Sequence, residues 1–255
     1  MKQPHPRTLS HVKSQLRTSG EWPGAVHLRK GWGSAHVRPW NDQSPRTASL
    51  RLERGGDRFI EACVACLADQ GVEQALTTAL PPGQTALWKR AGFSDHLQLV
   101  VFERDLTQPA GPIAHPVEAD SRPDMRRLAA LDDRAFPSTW RVGFEGLLDA
   151  TSATPFADVL TVSSDGEVVG FAIVGETMSV AYLQRLAVDP DHFRRGIGRS
   201  LVRACVDWGR KRGARTMVLN TQPDNFAASR LYESEGFVAF GPKLKVLARD
   251  TRSTR

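Results

Sequence analysis

A repeated pattern of glycine, alanine and cysteine narrows most strongly what this chain of 255 residues can fold into. Residues 56–64, followed by Gly71, match residues 198–206, followed by Gly213, at an offset of 142 residues. A second match has an offset of 144 and aligns Trp88, Gly92 and Phe93 with Tyr232, Gly236 and Phe237, respectively. Two matches in the same order predict a duplicated fold whose first copy has diverged.

A break between the two copies sets the expected domain boundaries. Residues 105–112 contain two prolines and a glycine, which interrupt helical and strand periodicity alike. We therefore predict a basic flexible leader over residues 1–20, a first domain over 21–107, a linker over 108–112 and a second domain over 113–250.

Positive charge is concentrated at the start of the chain. The formal net charge is +6, and residues 1–50 contain eight Lys or Arg but only Glu21 and Asp42 as acidic residues. Such a segment is typical of a solvated leader, and contact with nucleic acid or an acidic partner is the open alternative. The scattered spacing of the charges favours the leader, so nucleic acid is not expected as a partner.

The second copy has a regular alternation of elements. Apolar periodicity predicts helices at 123–136 and 144–150, and Asp165-Gly166 between two β-rich runs predicts a hairpin. Further elements follow in the order strand, helix, strand, helix and a closing strand pair, over residues 181–188, 197–212, 216–219, 225–234 and 237–248. From residue 123 onward the predicted order is α-α-β-β-β-α-β-α-β-β.

A glycine-rich turn joins the third of these strands to its helix. Residues 195–200 place Gly196 and Gly198 where free backbone N–H groups of the first helical turn converge, a geometry suited to phosphate. The turn lacks the Gly-Lys-Ser/Thr of a P-loop and the third glycine of a Rossmann turn. It therefore predicts a phosphate site of another kind, or a plain strand-to-helix corner.

Three motifs in sequence order make the pattern more specific. The strand end at residues 186–190, the Gly196–Gly198 turn and residues 225–237 together resemble the GNAT superfamily of acyl-CoA-dependent N-acyltransferases. The resemblance covers about residues 113–248, and it departs from the family where Phe193 replaces Gln or Arg. It implies an α/β (α+β) fold with a mixed central sheet flanked by helices, in two tandem GNAT-like halves.

The resemblance also implies a site that binds acetyl-CoA as acyl donor, without a metal. The cofactor-binding positions that it implies are Leu186, Ala187, Val188, Arg194, Arg195, Gly196, Ile197, Gly198, Arg199, Ser200 and Asn225. A strand N–H near Leu186 would stabilise the oxyanion, and Tyr232 would protonate the departing thiolate. Asn225 can also serve as a helix N-cap.

A general base is less clearly indicated. Residues 135–140 and 225–237 are also similar to protein N-terminal alanine acetyltransferases, in which the expected catalytic glutamate falls at Asn220 of this chain. Asparagine cannot accept the proton. Glu176 is the best remaining carboxylate, and a water chain or an amine that arrives neutral are the alternatives.

The first copy lacks the features that carry chemistry in the second. Trp88 stands where the second copy has Tyr232, and residues 53–58 lack the Gly-x-Gly turn. We expect a non-catalytic, degenerate GNAT-like half, an arrangement that also occurs in mycothiol synthase. Cys63 and Cys66 are expected on a buried helix face rather than at a metal.

The predicted function is an N-acetyltransferase that transfers an acetyl group from acetyl-CoA to an amine by direct attack. The acceptor is either a protein N-terminus or a small molecule, and a homodimer is left open. A non-catalytic acyl-CoA-binding regulatory module is the competing hypothesis. Since the chain has no apolar run of membrane-spanning length, no signal peptide and only three cysteines, we expect a cytoplasmic protein without membrane contact.

Overall fold

A computed structural model describes residues 16–40 and 44–252 of the chain. The first half contains β1 Arg17–Ser19, β2 Val26–Lys30, β3 Gly33–Trp40, β4 Ser44–Arg54, α1 Asp57–Asp69, β5 Gln74–Thr77, α2 Thr85–Arg90 and β6 Ser94–Asp105. The second half contains β7 Glu118–Asp120, α3 Met125–Ala135, α4 Gly143–Ser152, β8 Phe156–Ser164, β9 Glu167–Thr177, β10 Val180–Val188, α5 Ile197–Lys211, β11 Thr216–Thr221, α6 Phe226–Ser234, β12 Val238–Ala239 and β13 Leu244–Asp250. The element order predicted from residue 123 onward is confirmed.

One mixed sheet runs through both halves. Its strand order is β1-β2-β3-β4-β5-β13-β6-β11-β10-β9-β8-β7, with β12 paired to β6 beside this path. The β4–β5 and β10–β11 pairs are parallel and the other pairs are antiparallel. The predicted fold class, a mixed central sheet flanked by helices, is confirmed.

The sheet begins earlier in the chain than expected. Residues 1–15 of the predicted leader lie outside the described residues, and the remainder of that segment contains β1, which pairs with β2. The assignment of residues 17–19 to a flexible leader is therefore wrong, because their backbone groups pair with those of residues 27–29.

The two halves exchange strands at the centre of the sheet. Residues 94–99 of β6 pair with β13, whereas residues 100–105 of the same strand pair with β11. The strand β13 in turn lies between β5 and β6. The two closing strands expected at 237–248 are present as β12 and β13, but each pairs with β6 rather than with the other.

Helices cover the sheet in three groups. In the first half α1 and α2 pack on one face, around Ile60 and Trp88. In the second half α5 and α6 pack on one face around Leu201 and Tyr232, while α3 and α4 cover the other around Leu131. Within the described residues, no helix separates β1 from β2, whereas α3 and α4 separate β7 from β8 in the second half.

The two copies of the second sequence match, residues 88–93 and 232–237, have the same local fold. Phe93 N–H bonds the Trp88 carbonyl at 3.0 Å, and Phe237 N–H bonds the Tyr232 carbonyl at 3.0 Å. The rings of each pair meet edge to face, with centroids 5.0 Å apart in the first half and 5.9 Å apart in the second. The local geometry thus follows the sequence repeat.

Within the described residues, no helix is long and apolar enough to cross a bilayer.

Candidate functional site

The parallel strands β10 and β11 separate partway along their length. They are paired only from Val180–Thr216 to Tyr182–Val218, although β10 continues to pair with β9 as far as Val188. The register against β9 shifts between Leu183 and Arg185, an irregularity that bends a strand and increases its twist. The edge of β10 beyond Tyr182 therefore turns backbone groups toward a gap instead of toward β11.

The predicted positions on β10 lie along this gap. Leu186, Ala187 and Val188 form the end of the strand, and Ala187 is buried while its two neighbours are partly exposed. A Cβ placed on Gly198 would lie 3.4 Å from Leu231 Cδ2 and 3.7 Å from Val188 Cγ2. The strand end, the start of α5 and helix α6 therefore meet around Gly198.

The glycine turn has a backbone suited to an anion. Gly196 caps α5 in the left-handed region at φ +88°, which costs glycine little. The first bond of the helix runs from Ser200 N–H to the Gly196 carbonyl at 3.0 Å. The N–H groups of residues 197–199 therefore have no partner in the helical ladder and carry the positive end of the helix dipole.

The side chains of this turn divide into two groups. Arg194 and Arg195 are exposed, and Arg194 itself has a left-handed φ of +64°. Ile197 is buried in the core, so only its backbone faces the turn. Phe193, where the family pattern has Gln or Arg, is 49% exposed and offers no polar group.

Two residues predicted to contact the cofactor are held by other protein groups. The Ser200 side chain is buried, and its Oγ accepts a hydrogen bond from His115 N–H at 3.1 Å. The Arg199 guanidinium lies 3.0 Å from a carboxylate oxygen of Glu235. The Ser200 hydroxyl is therefore engaged within the protein, and Ser200 stays a predicted cofactor-binding position through its backbone in the first helical turn.

Tyr232 lies in an apolar pocket under helix α6. It is 7% exposed and packs between Phe102 and Phe237, with centroid distances of 6.1 and 5.9 Å. Burial raises its pKa to about 12, against a smaller opposing effect of Arg185. Among residues 16–40 and 44–252, no hydrogen bond involves its hydroxyl. The hydroxyl therefore stays protonated at neutral pH and keeps its proton available.

Asn225 caps helix α6. Its Oδ1 accepts from Ala228 N–H at 3.2 Å, and its Nδ2 donates to Gln222 Oε1 at 3.4 Å. The N-cap accounts for Oδ1, and Gln222 engages Nδ2, so both polar atoms of the side chain have partners within the protein.

A buried ion pair fixes the segment in front of β10. Both oxygens of Asp132, a residue with no exposed surface, accept hydrogen bonds from Arg185, at 2.6 and 2.8 Å. Arg185 also donates to the Trp140 carbonyl at 3.0 Å and lies 3.6 Å from the Phe136 ring centroid. The Val142 N–H donates to Asp132 at 3.1 Å. The segment 136–142 is thereby held against the strand that borders the gap.

Glu176 does not lie at the gap. It pairs with Ala181 near the start of β10, accepts a hydrogen bond from Ser179 N–H at 3.3 Å and lies 3.7 Å from Arg212. Arg212 follows the C-terminal end of α5, a helix of 15 residues and thus about 22 Å long, whereas the glycine turn lies at the N-terminal end. The contacts of Glu176 thus lie at the end of α5 away from the glycine turn and give no support to its role as general base, which stays a prediction.

Sequence reasoning missed two contributors to the site. Phe102 comes from β6 in the first half, and only the exchange of strands brings it against Tyr232. Arg185 is the one charged residue of the strand β10, a signal that indicates a buried partner. Its partner Asp132 lies 53 residues away, so sequence alone did not identify the pair.

The diverging parallel strands, the glycine turn at a helix start and the buried tyrosine all lie within residues 180–237. Residues 125–237 match the family model of the Acetyltransferase (GNAT) family. This part of the chain is therefore similar to the GNAT acetyltransferases.

Two curated relatives overlap this region. The [Ribosomal protein bS18]-alanine N-acetyltransferase of Escherichia coli strain K12 is 41% identical over 76 residues, which are 30% of this chain and 51% of that protein. Mycothiol acetyltransferase of Clavibacter michiganensis subsp. michiganensis is 33% identical over 172 residues, 61% of this chain and 55% of that protein. The chain spans about half the length of these relatives.

A solved structure is similar over nearly the whole chain. The tandem GNAT protein from the clavulanic acid biosynthesis pathway has a TM-score of 0.62 at 13% identity, and the match covers 91% of this chain and 83% of that one. At this identity the likeness concerns the fold, and it agrees with a tandem arrangement of two halves.

Proposed function

We propose that the chain is an N-acetyltransferase that uses acetyl-CoA as donor and whose site lies in the gap between β10 and β11. The separation of these parallel strands beside the start of α5 is the observation that carries the proposal. The edge of β10 at residues 186–188 would bond the pantetheine arm. Arg194, Arg195 and the backbone of residues 196–199 would bind the pyrophosphate.

The chemistry is direct transfer, in which the amine nitrogen attacks the thioester carbonyl. The carbon–sulfur bond breaks as the tetrahedral intermediate collapses, and the thiolate of coenzyme A leaves with a proton from Tyr232. A covalent acyl-cysteine is disfavoured because Cys205, the cysteine that interacts with Tyr232, is fully buried and burial raises its pKa.

Deprotonation of the amine needs no carboxylate in this proposal. Asn220 occupies the position of the expected glutamate, and its amide cannot accept the proton. The buried carboxylates of Asp132 and Glu235 are paired with Arg185 and Arg203. We propose that the amine arrives neutral or loses its proton to a chain of water molecules.

The acceptor is proposed to be a primary amine bound against the segment 136–142. Related proteins include a ribosomal protein alanine N-acetyltransferase and an aminoglycoside N(6′)-acetyltransferase of Klebsiella aerogenes, the latter 33% identical over 98 residues. Between the two classes the segment 136–140 favours a protein N-terminus. Release of coenzyme A with an alanine-initiated peptide and with an aminoglycoside would distinguish them.

We propose further that the first half is a non-catalytic GNAT-like unit. It has Trp88 in place of a tyrosine, and its described residues contain no counterpart of α3 and α4. It supports the second half through Phe102 and through Arg38, which lies 3.0 Å from Asp149 of α4.

Calorimetric titration of the full chain with acetyl-CoA tests the binding step. Gly198→Trp should abolish binding at the single expected site, because its side chain would fill the space between Leu231 and Val188. Gly198→Ala is the matched control, since a Cβ at this position makes only ordinary contacts. Unchanged affinity in a folded Gly198→Trp variant would refute the assignment of the gap to the cofactor.

Replacement of the proposed acid tests the chemical step. Tyr232→Phe keeps the ring between Phe102 and Phe237 but removes the proton, so the turnover number should fall about 10²- to 10⁴-fold while acetyl-CoA affinity stays nearly constant. An unchanged turnover number would eliminate Tyr232 as the acid. Binding without turnover in the wild-type chain would instead favour the alternative, a regulatory acyl-CoA-binding module. Asn220, which stands at the position of the expected catalytic glutamate, is the feature that supports this alternative.

A further inference from the structure

Three potential metal ligands converge on the first half, away from the gap between β10 and β11. His27 lies on β2, His36 on β3 and Glu53 on β4, so three neighbouring strands contribute one side chain each. His27 and His36 face each other directly in the β2–β3 register. Their rings are stacked with centroids 4.2 Å apart, so both imidazoles project from the same face of the sheet.

The carboxylate of Glu53 joins the two histidines. Its Oε1 lies 3.0 Å from His36 Nε2, and its Oε2 lies 3.6 Å from His27 Nε2. One ligand atom from each residue lies within 4.8 Å of the other two. In a tetrahedral zinc site with bonds of about 2.0–2.2 Å, neighbouring ligand atoms are about 3.3–3.5 Å apart. The two distances, each to a different oxygen of the Glu53 carboxylate, lie on either side of this spacing.

The surroundings leave the cluster open on one side. His36 and Glu53 are roughly half exposed, whereas Ala35 and Val37, which flank His36 on β3, are buried in the core on the α1 side. The imidazole of His36 therefore faces away from α1 and toward solvent, where an ion can enter. Three protein ligands and an open position match the arrangement in which zinc keeps a water molecule.

Neighbouring groups compete with an ion at this place. Ser34 Oγ lies 2.7 Å from His27 Nε2 and donates to Glu53 Oε2 at 2.5 Å. The Arg29 Nε lies 3.4 Å from His27 Nε2, and its positive charge opposes a cation. Arg29 is exposed, so its side chain can turn into solvent, whereas adjacent strands hold the three ligands together.

We propose that His27, His36 and Glu53 bind one divalent transition-metal ion, with Zn²⁺ as the probe. The two imidazole nitrogens and the carboxylate are ligands of the type that zinc prefers. A bound ion would link β2, β3 and β4 beside the edge strand β1 and stabilise this end of the sheet. The proposal does not depend on the acetyltransferase assignment.

The test is a titration of the full chain, stripped of metal with a chelator, with Zn²⁺ and separately with Co²⁺. The expected result is one ion per chain and Co²⁺ absorption bands typical of nitrogen and oxygen ligands. Loss of an outer-shell partner already weakens binding about 10- to 100-fold, so His36→Ala should lower Zn²⁺ affinity by at least about tenfold. His96→Ala, which removes an exposed histidine on β6, is the matched control and should bind as the wild type does.

The near-isosteric Glu53→Gln provides a second variant if His36→Ala does not fold. It should also weaken binding at least about tenfold while the circular dichroism spectrum stays unchanged. The proposal is overturned if the wild-type chain shows no saturable Zn²⁺ binding. It is equally overturned if folded His36→Ala or Glu53→Gln binds Zn²⁺ as tightly as His96→Ala does.

Discussion

Removal of the Asp132 carboxylate should destabilise the second half by a predictable amount. Asp132→Asn preserves the size of the side chain but leaves the Arg185 guanidinium, whose side chain is only 12% exposed, without its anionic partner. Breaking a buried ion pair from one side costs about 3–5 kcal/mol, because the remaining charge stays desolvated. Arg185 retains the Trp140 carbonyl and the Phe136 ring, so we expect a loss near the lower end, about 3 kcal/mol.

Urea unfolding followed by tryptophan fluorescence and by far-UV circular dichroism measures this loss. Coincident transitions from the two probes allow the free energy of unfolding to be calculated. With a denaturant slope of about 3 kcal/mol per molar urea, the midpoint should fall by about 1 M. Glu73→Gln is the matched control: its ion pair with Arg46 is largely exposed, and such pairs contribute about 0–1 kcal/mol.

A double substitution separates the cost of the stranded charge from the loss of the carboxylate. Arg185→Met with Asp132→Leu replaces the pair by apolar side chains of similar size and should recover most of the lost stability. If Asp132→Asn destabilises the protein by no more than Glu73→Gln does, the reasoning from burial is refuted. If the double variant is less stable than Asp132→Asn, the pair contributes attraction that the desolvation argument does not include.

The strand exchange predicts that fragment 94–255 folds because it keeps β6, whereas fragment 109–255 exposes the edge of β11 and aggregates. Equal solubility and equal circular dichroism spectra of the two fragments would contradict this prediction. In native protein Cys66, which is half-buried, should react with a thiol reagent faster than Cys63, since burial raises the pKa of Cys63 to about 12. Faster labelling of Cys63 would count against the packing of α1. Burial raises the pKa of Tyr232 from 10 in the unfolded chain to about 12, so the folded state holds this proton more tightly. The resulting contribution to the free energy of unfolding is present below pH 10 and is lost between pH 10 and about 12. The urea midpoint of the wild type should therefore fall relative to that of Tyr232→Phe between pH 8 and pH 11, and a constant difference would exclude this linkage.

Local patterns predicted most elements of the second half because each depends on nearby residues. Asp165 and Gly166 both adopt positive φ, at 52° and 79°, as the hairpin signal requires. The apolar face of α5 and its end before Gly213, at φ +84°, likewise follow from periodicity and a helix cap. The site positions on β10 and at the Gly196 turn could be located because turn and strand end adjoin in sequence.

The surroundings of two predicted site residues depend on partners far away along the chain. Glu176 is a carboxylate beside a strand end, and only its contact with Arg212 shows that it serves the opposite end of the sheet. Ser200 follows the phosphate-type turn in sequence, yet its hydroxyl is engaged by His115 from the linker region. Side-chain direction and distant partners set these outcomes, and neither is encoded in local spacing.

The amino-acid sequence by itself determined the repeat, the order of elements and the turn at the start of α5, since these follow from spacing and local conformational preference. The tertiary structure alone decided that β6 and β13 exchange between the halves, because the β6–β13 pairing joins residues up to 154 positions apart, such as Ser94 and Ala248. The same exchange places Phe102 against Tyr232 and gives the tyrosine its apolar environment. Burial, which sets the pKa of that hydroxyl, is a property of packing and arises only when β6 packs against the second half.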